Sequence, residues 1–189
     1  LGNSRQLAGK TENASDEELM CEFALSGSNG AIKELMARYR GSALAVARTY
    51  VYDIAAGEDA VQETLINVIR NRHRFDTDQR FAPWFYTLLR NTCIDACRKK
   101  KRITGLLDRF SGEVGEPEEQ DHESSLTMRR LVAKMKPEDR RILHLKIVEG
   151  MTLPDVADAI GCSPEAAKKR SQRALKRLKD LYLCAQGES

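Results

Sequence analysis

The feature that most constrains this chain is a capped turn between two amphipathic segments, spanning residues 152–178. It reads T-L-P-D-V-A-D-A-I-G-C-S-P-E-A-A-K-K-R-S-Q-R-A-L-K-R-L. Thr152 is placed to cap a first helix, and Asp155, three residues on, completes a capping box. Val156, Ala157 and Ile160 form its inward face, and Gly161 supplies the left-handed residue that ends it. Ser163 then caps a second helix with Pro164 in its first turn. Ala157 and Ala167 are small enough to let the two helices cross closely. The pattern predicts helix, tight turn, helix at the spacing of DNA readers.

On the second helix, Ala167, Ala174, Leu178 and Leu181 share one face. Lys168, Lys169, Arg170, Gln172, Arg173 and Lys176 lie around the other side. Arginine and lysine bond guanine edges or phosphates, and glutamine reads adenine. The alternative is a solvated basic face on an ordinary helical hairpin.

The remainder also reads as helix, with no convincing strand-like alternation. Ser15 and Glu18 make a capping box for a helix to about Ser26. Ser28 or Asn29 caps a second, in which Ala31, Ile32, Leu35, Met36 and Tyr39 recur at helical spacing. Asp53 precedes a third, with Val61, Leu65, Val68 and Ile69 assigned to its apolar face. Pro83 suits the first turn of a fourth, which carries Trp84, Leu88 and Ile94 and ends in the basic run 98–102. A polar, basic loop at 72–80, centred on Phe75 and Asp76, separates the third and fourth. Beyond Ser125, one amphipathic helix carries Leu126, Met128, Leu131, Val132 and Met135. Another starts at Pro137 and runs through Ile142, Leu143, Leu145, Ile147 and Val148 to Gly150.

A net charge of +3 conceals an uneven distribution. Residues 16–104 hold 14 basic and 12 acidic side chains, residues 105–123 hold 1 and 7, and residues 124–189 hold 14 and 8. Two basic blocks, suited to phosphate backbones, thus flank an acidic stretch. That stretch also contains Gly112, Gly115 and Pro117, so it reads as a flexible linker. Five scattered cysteines (Cys21, Cys93, Cys97, Cys162, Cys184) do not form a secreted disulfide framework and read as buried and reduced. Cys93 and Cys97, four apart, share a helical face, but no second Cys/His pair lies near them in sequence. No stretch approaches the roughly 18–20 apolar residues of a membrane helix. The start, Leu1-Gly2-Asn3-Ser4, reads as a processed or expression-derived end rather than a targeting segment. The expected location is cytoplasmic, without membrane insertion. No nucleophile–base pair, phosphate loop or metal cluster stands out, and His73, His122 and His144 are scattered. The reading is of a non-enzyme without cofactor or metal.

Residues 131–183 resemble the promoter-binding C-terminal domain of bacterial sigma factors, chiefly through E-G-M-T-L-P-D-V-A-D-A-I-G-C-S at 149–163. A second match is independent. Glu58-Asp59-Ala60-Val61-Gln62-Glu63-Thr64-Leu65 resembles the segment that docks on core RNA polymerase. Phe81-Ala82-Pro83-Trp84-Phe85-Tyr86, with Arg90-Asn91 and Ile94-Asp95-Ala96-Cys97-Arg98, resembles the element that melts and reads the −10 promoter region. Two motifs in order around an acidic linker make the chain similar to the small extracytoplasmic-function (ECF) group of the sigma-70 family.

The resemblance implies an all-α fold of two small helical domains, a region 2 bundle and a region 4 helix-turn-helix, joined by the flexible acidic linker. The boundaries are an N-terminal extension at 1–15, region 2 at 16–104, the linker at 105–123, region 4 at 124–184 and a tail at 185–189. The implied partners are core RNA polymerase, promoter DNA and an anti-sigma factor. Asp59, Gln62 and Glu63 would meet polymerase; the alternative is a solvated acidic face. Phe75, Asp76, Arg80, Arg90, Asn91, Arg98 and Lys99 would serve the −10 strand, and Lys168, Lys169, Arg170, Gln172, Arg173 and Lys176 the −35 duplex. Phe75 would stack on an extruded base or else plug the core, Trp84 reads as core rather than a melting wedge, and Asn91 and Asp95 could simply bond each other. Family members often carry Gly-Thr-Val where this chain has Glu165-Ala166-Ala167; Glu165 would repel phosphate or read a cytosine amine. Pro154 is also unusual for the first helix, although a first-turn position tolerates it. Two other functions fit parts of the pattern: a conventional helix-turn-helix regulator, and a sigma mimic that binds an anti-sigma factor without touching DNA.

Overall fold

The computed structural model describes residues 14–51, 53–103 and 123–187. Most of the linker assignment (105–122) and most of the N-terminal extension lie outside them. Among the described residues the regular structure is helical, and no strand occurs. The first four helices are α1 (Asp16–Ser26), α2 (Asn29–Ala47), α3 (Ile54–Arg70) and α4 (Phe81–Ile103). Then follow α5 (Glu123–Ala133), α6 (Pro137–Leu143), α7 (Leu153–Ile160) and α8 (Pro164–Gly187). Helix α5 thus begins at Glu123, one residue inside the stretch read as linker.

Local chemistry sets the ends of these helices. Ser15 and Glu18 close their capping box, with Glu18 N donating to Ser15 Oγ and Ser15 N to Glu18 Oε2. Gly27 ends α1 at φ 70°, a left-handed conformation that glycine adopts without Cβ strain. Ser28 and Asp53 cap α2 and α3 through their side chains. Asp16, in the first turn of α1, then reaches across to α2, accepting from Tyr39 Oη at 2.6 Å and Arg38 Nη1 at 2.9 Å. A helix start is thereby tied to its neighbour's middle.

Aromatic packing fills the first bundle. Phe81, Phe85 and Tyr86 are almost wholly buried, and the Tyr39 ring lies 5.0 Å from both Phe81 and Phe85. Phe75 joins this cluster with its ring 5.2 Å from Trp84 and 6.1 Å from Phe81. It is 7% exposed, so of the two roles left open the core plug holds, and a base could stack on it only if the ring left its neighbours. Trp84 is partly buried against the same core, as expected. On α3 the inward face is Ala60, Val61, Thr64 and Val68 with Leu65 at its edge, whereas Ile69 is 46% exposed. Residue 69 falls about 100° around the helix from Val68, which turns it off the buried stripe.

In the second half, the apolar run after Pro137 does not continue as one α-helix. Helix α6 stops at Leu143 and loosens into a π-helical turn at His144–Val148, with Glu149 N donating to His144 O. The wider turn breaks the 3.6-residue spacing, leaving Ile147 and Val148 59% and 64% exposed while Leu145 stays buried. Arg177 of α8 pairs with the nearly buried Asp139 in the first turn of α6, so one member of the basic series is structural.

One buried apolar cluster runs from Leu19 and Met20 through Phe85 and Leu89 to Val156, Ala167 and Ala174. It crosses from the first bundle into the second because α4 packs on α3 with one face and on α7 with another. Phe85→Ala should destabilise the protein by about 3–5 kcal/mol, read as a lowered denaturation midpoint. Ser15→Ala, removing only a cap, should cost about 1 kcal/mol.

Candidate nucleic-acid interface

The turn between α7 and α8 is built as its sequence predicts. Thr152 Oγ1 accepts from Asp155 N, and Asp155 Oδ2 accepts from Thr152 N. Cys162 N donates to Ala157 O at 2.9 Å and Gly161 N to Asp158 O at 3.2 Å, which satisfies the last carbonyls of α7. Gly161 has φ 68°, and Ser163 Oγ accepts from Ala166 N to start α8. Val156 and Ala157 of α7 and Ala167, Ser171 and Ala174 of α8 are buried, while Ile160, Leu178 and Leu181 are partly so. Three small side chains at the crossing let the two backbones approach closely.

That packing fixes the other face of α8 outward. Lys168, Lys169, Arg170, Gln172, Arg173 and Lys176 are all exposed. Five of the six carry positive charge, and Arg173 Nε leans on Lys169 O at 3.4 Å. Glu165 is exposed in the first turn, ahead of this face. Such a helix presents cations and one amide donor–acceptor to a groove or to phosphates.

The candidates of the first domain fall into two groups. Asp59, Gln62 and Glu63 are exposed on α3, and Glu63 Oε1 stands 3.7 Å from Arg70. Of these, Gln62 lines an open groove of about 460 Å³ between α2 and α3, together with Met36, Arg40, Leu44, Glu58 and Leu65. Asp76, Arg98 and Lys99 are also exposed. Asn91 and Asp95 do not bond each other. Instead Arg90 Nη2 donates to Asn91 Oδ1 at 3.1 Å and Arg98 Nη1 to Asp95 at 3.4 Å, since a guanidinium outcompetes an amide for either oxygen.

Arg80 and Arg90 are not free. Arg80 Nη1 pairs with Asp155 of the helix-turn-helix at 2.7 Å, and the Arg90 guanidinium lies against Gly161 so closely that a methyl group there would overlap it. Thr87 Oγ1 reaches Asp158 O at 3.4 Å. The two candidate DNA surfaces are therefore joined by the turn itself. Asp155 serves twice, as capping residue and as ion-pair partner.

A second set of side chains in this seam escaped the sequence reading. Arg141 of α6 donates from Nε to Thr49 Oγ1 and from Nη2 to Thr49 O, both at 2.8 Å, and its Cζ stacks 3.2 Å from the Tyr50 ring centroid. Burial favours loss of its proton, opposed chiefly by Tyr50. Glu149 lies 3.6 Å from His144 Nε2. Burial alone would raise the Glu149 carboxyl, but His144, Ser42 and Tyr86 together hold it below the usual range. No local motif marks Arg141, and the 149–163 motif opens on Glu149 without pointing to this role, because the partners Thr49, Tyr50, Ser42 and Tyr86 are distant in sequence.

The cysteines are free among the described residues, but only Cys93 is buried; Cys21, Cys97 and Cys162 are half-buried and Cys184 is exposed. The expectation of buried cysteines therefore holds for one position. Desolvation pushes the Cys93 thiol up to about 12, which disfavours the reactive thiolate.

A helical bundle with an exposed acidic helix, joined to a helix-turn-helix with an outward basic face, defines a two-domain, DNA-binding transcription factor. The comparisons narrow this class. Residues 35–103 match the family model described as Sigma-70 region 2, and residues 125–178 that described as Sigma-70, region 4. The sigma factor CarQ of Myxococcus xanthus is 27% identical over 158 residues, covering 82% of this chain and 91% of the relative. The ECF sigma factor SigW of Bacillus subtilis is 24% identical over 173 residues, covering 82% and 92%. Among solved structures, the sigma factor RpoE of Bartonella quintana, in complex with the anti-sigma factor NepR, superposes with a TM-score of 0.63. Identity there is 22%, over 79% of this chain and 95% of that one. CnrH in complex with the cytosolic domain of CnrY gives 0.59 at 22% identity, over 89% and 97%.

The chain belongs to the sigma-70 family, as an alternative sigma factor of the ECF type that works with core RNA polymerase and promoter DNA to direct transcription initiation. Sigma factors as a class are initiation factors rather than enzymes. No described helix is long and apolar enough to cross a membrane.

Two measurements check the seam. Gly161→Ala should cost more than the about 1–2 kcal/mol of left-handed strain, because its methyl also meets Arg90; Arg90→Ala should remove the excess in a thermal double-mutant cycle. Glu149 has a lowered folded-state value, so its contribution is complete above the ordinary 4.5 and is lost as pH falls below that. Glu149→Gln should accordingly flatten the acid limb of a stability–pH curve.

Proposed function

We propose that the residues of this sigma factor divide into three working surfaces within the boundaries 16–104 and 124–184, bridged by the acidic linker at 105–123. Lys168, Lys169, Arg170, Gln172, Arg173 and Lys176 read and grip the −35 duplex through the major groove. Arg80, Arg90, Asn91 and Asp76 take the opened −10 strand, with Arg98 and Lys99 tracking its phosphates. Phe75 forms the buried floor beneath that site instead of a stacking platform. Asp59, Gln62 and Glu63 dock on core polymerase. The protein acts in the cytoplasm without catalysing a reaction itself, and an anti-sigma factor is its expected regulator. Two structural relatives described in complexes, one explicitly with an anti-sigma factor, support that last point.

The observation that carries the −35 assignment is the outward basic face of α8, fixed by Ala167, Ser171 and Ala174 beneath it. A sigma mimic would not need that face. Glu165 sits at the DNA-facing end and biases base preference, since a carboxylate accepts from cytosine and repels phosphate.

Transcription with purified core polymerase on genomic promoters tests the reading. Promoter-specific initiation is expected, and core-independent operator binding without initiation would overturn it. Arg173→Ala should weaken −35 recognition by about 1–3 kcal/mol and relax base preference there, whereas Lys176→Ala should lower affinity evenly and reduce the salt slope by about 1. An unchanged promoter preference in Arg173→Ala would reduce that residue to surface charge.

A further inference from the structure

We infer that Asp139, which belongs to none of the three working surfaces, is a positioning residue for base specificity: acting through Arg177, it sets the roll of α8 and so decides which bases the outward face can read. The inference rests on the assignment of that face to the −35 duplex. Residues advance about 100° around a helix, which puts Lys169, Gln172 and Lys176 on one line and Ala167, Ser171 and Ala174 on the opposite one. Arg177 falls on the flank, about a quarter turn from either. Its Nη1 donates to Asp139 Oδ2 in the first turn of α6, and Asp139 is only 8% exposed. This guanidinium is therefore committed to the protein, while Lys169, Gln172, Arg173 and Lys176 stay exposed.

The crossing with α7 leaves that roll loosely defined. There α8 offers small side chains, and Ser171 Oγ, buried among them, has no hydrogen-bond partner. Small apolar contacts set how near two helices lie, but without large interlocking side chains they oppose rotation weakly. Helix α7 also spans 8 residues against the 24 of α8, so it supports only part of the longer helix. Arg177 lies about 15 Å along the axis from Ala167, where a directional charged bond fixes what the crossing does not. Burial of Asp139 strengthens that bond relative to a pair in open water. The required precision is high. A side-chain end stands about 6 Å from the helix axis, so a roll of about 10° carries it about 1 Å. Productive contacts tolerate about half of that.

The test uses holoenzyme and duplex DNA of a promoter at which it initiates, with single-base changes in the −35 element. Two quantities are read: the ratio of affinities for the promoter and its variants, and the slope of log affinity against log salt. Arg177→Met should shrink the ratio about fivefold, the lower end of what one base contact supplies, and leave the slope unchanged, because no phosphate contact is lost. Asp139→Asn should shrink it likewise, and the double variant should do no worse than either, since all three break one interaction. Arg177→Lys, which keeps a cation within reach of Asp139, should restore most of the ratio. If Arg177→Met is unstable because it leaves a buried carboxylate unpaired, the double variant, which carries no such charge, decides. A slope lowered by about 1 overturns the tether and makes Arg177 an ordinary phosphate contact; losses that multiply in the double variant overturn it too. The unmutated holoenzyme separates the two readings. If it ignores the base changes, the −35 assignment fails. If it discriminates and the variants discriminate equally well, the assignment stands and only the tether falls.

Discussion

The structure depends on one helix being buried from two sides. Helix α4 turns Phe81, Phe85, Leu89 and Cys93 into the first bundle, where each is fully buried. A second face meets α7, through Thr87 and Arg90. An ordinary surface helix has one apolar stripe and leaves the opposite side to water. Here the second face is polar yet still covered, so its side chains must find partners across the domain boundary. That requirement explains why the Arg90 guanidinium lies on a residue without a side chain, while Arg80, just ahead of α4 and half-exposed, adds an ion pair to Asp155.

The energetics of the two faces differ in kind. Burying each large apolar side chain contributes about 1.5–3 kcal/mol, and the inner face carries several, so it is effectively permanent. The outer face exchanges hydrogen bonds with water for hydrogen bonds with protein, at about 0.5–1.5 kcal/mol net apiece. Arg141 shows the cost side of that exchange. Desolvating its guanidinium is unfavourable, and the two bonds to Thr49 with the Tyr50 ring offset this. The domain core is thus fixed, whereas the seam is nearly balanced.

Helix α8 solves a related problem on a single helix. Its inward side is reduced to Ala167, Ser171 and Ala174, so that it approaches α7 closely and places its cations outward at a defined angle. Arg177 departs from the neighbouring basic residues by pairing with Asp139, anchoring the helix to α6 while the rest of the series remains exposed. Positive charge on this helix therefore has two uses, and burial of the partner carboxylate distinguishes them.

Most of the fold was legible in the sequence because its determinants are local. Capping residues such as Ser15, Thr152 and Ser163 act within three residues, and Gly161 acts on its own backbone. The period of apolar residues then tells which side of each helix faces in, and the basic face of α8 follows by elimination. Where that logic failed, the cause was not local. The π-helical turn at His144–Val148 shifted the register and exposed Ile147 and Val148, and the two roles left open for Phe75 were separated only by its enclosure between Phe81 and Trp84. By itself the sequence determined the helices, their faces and the family. Only the tertiary structure decided which charged residues stay free, because Arg80, Arg90 and Arg141 meet partners more than fifty residues away, and no short-range pattern encodes a pairing at that range.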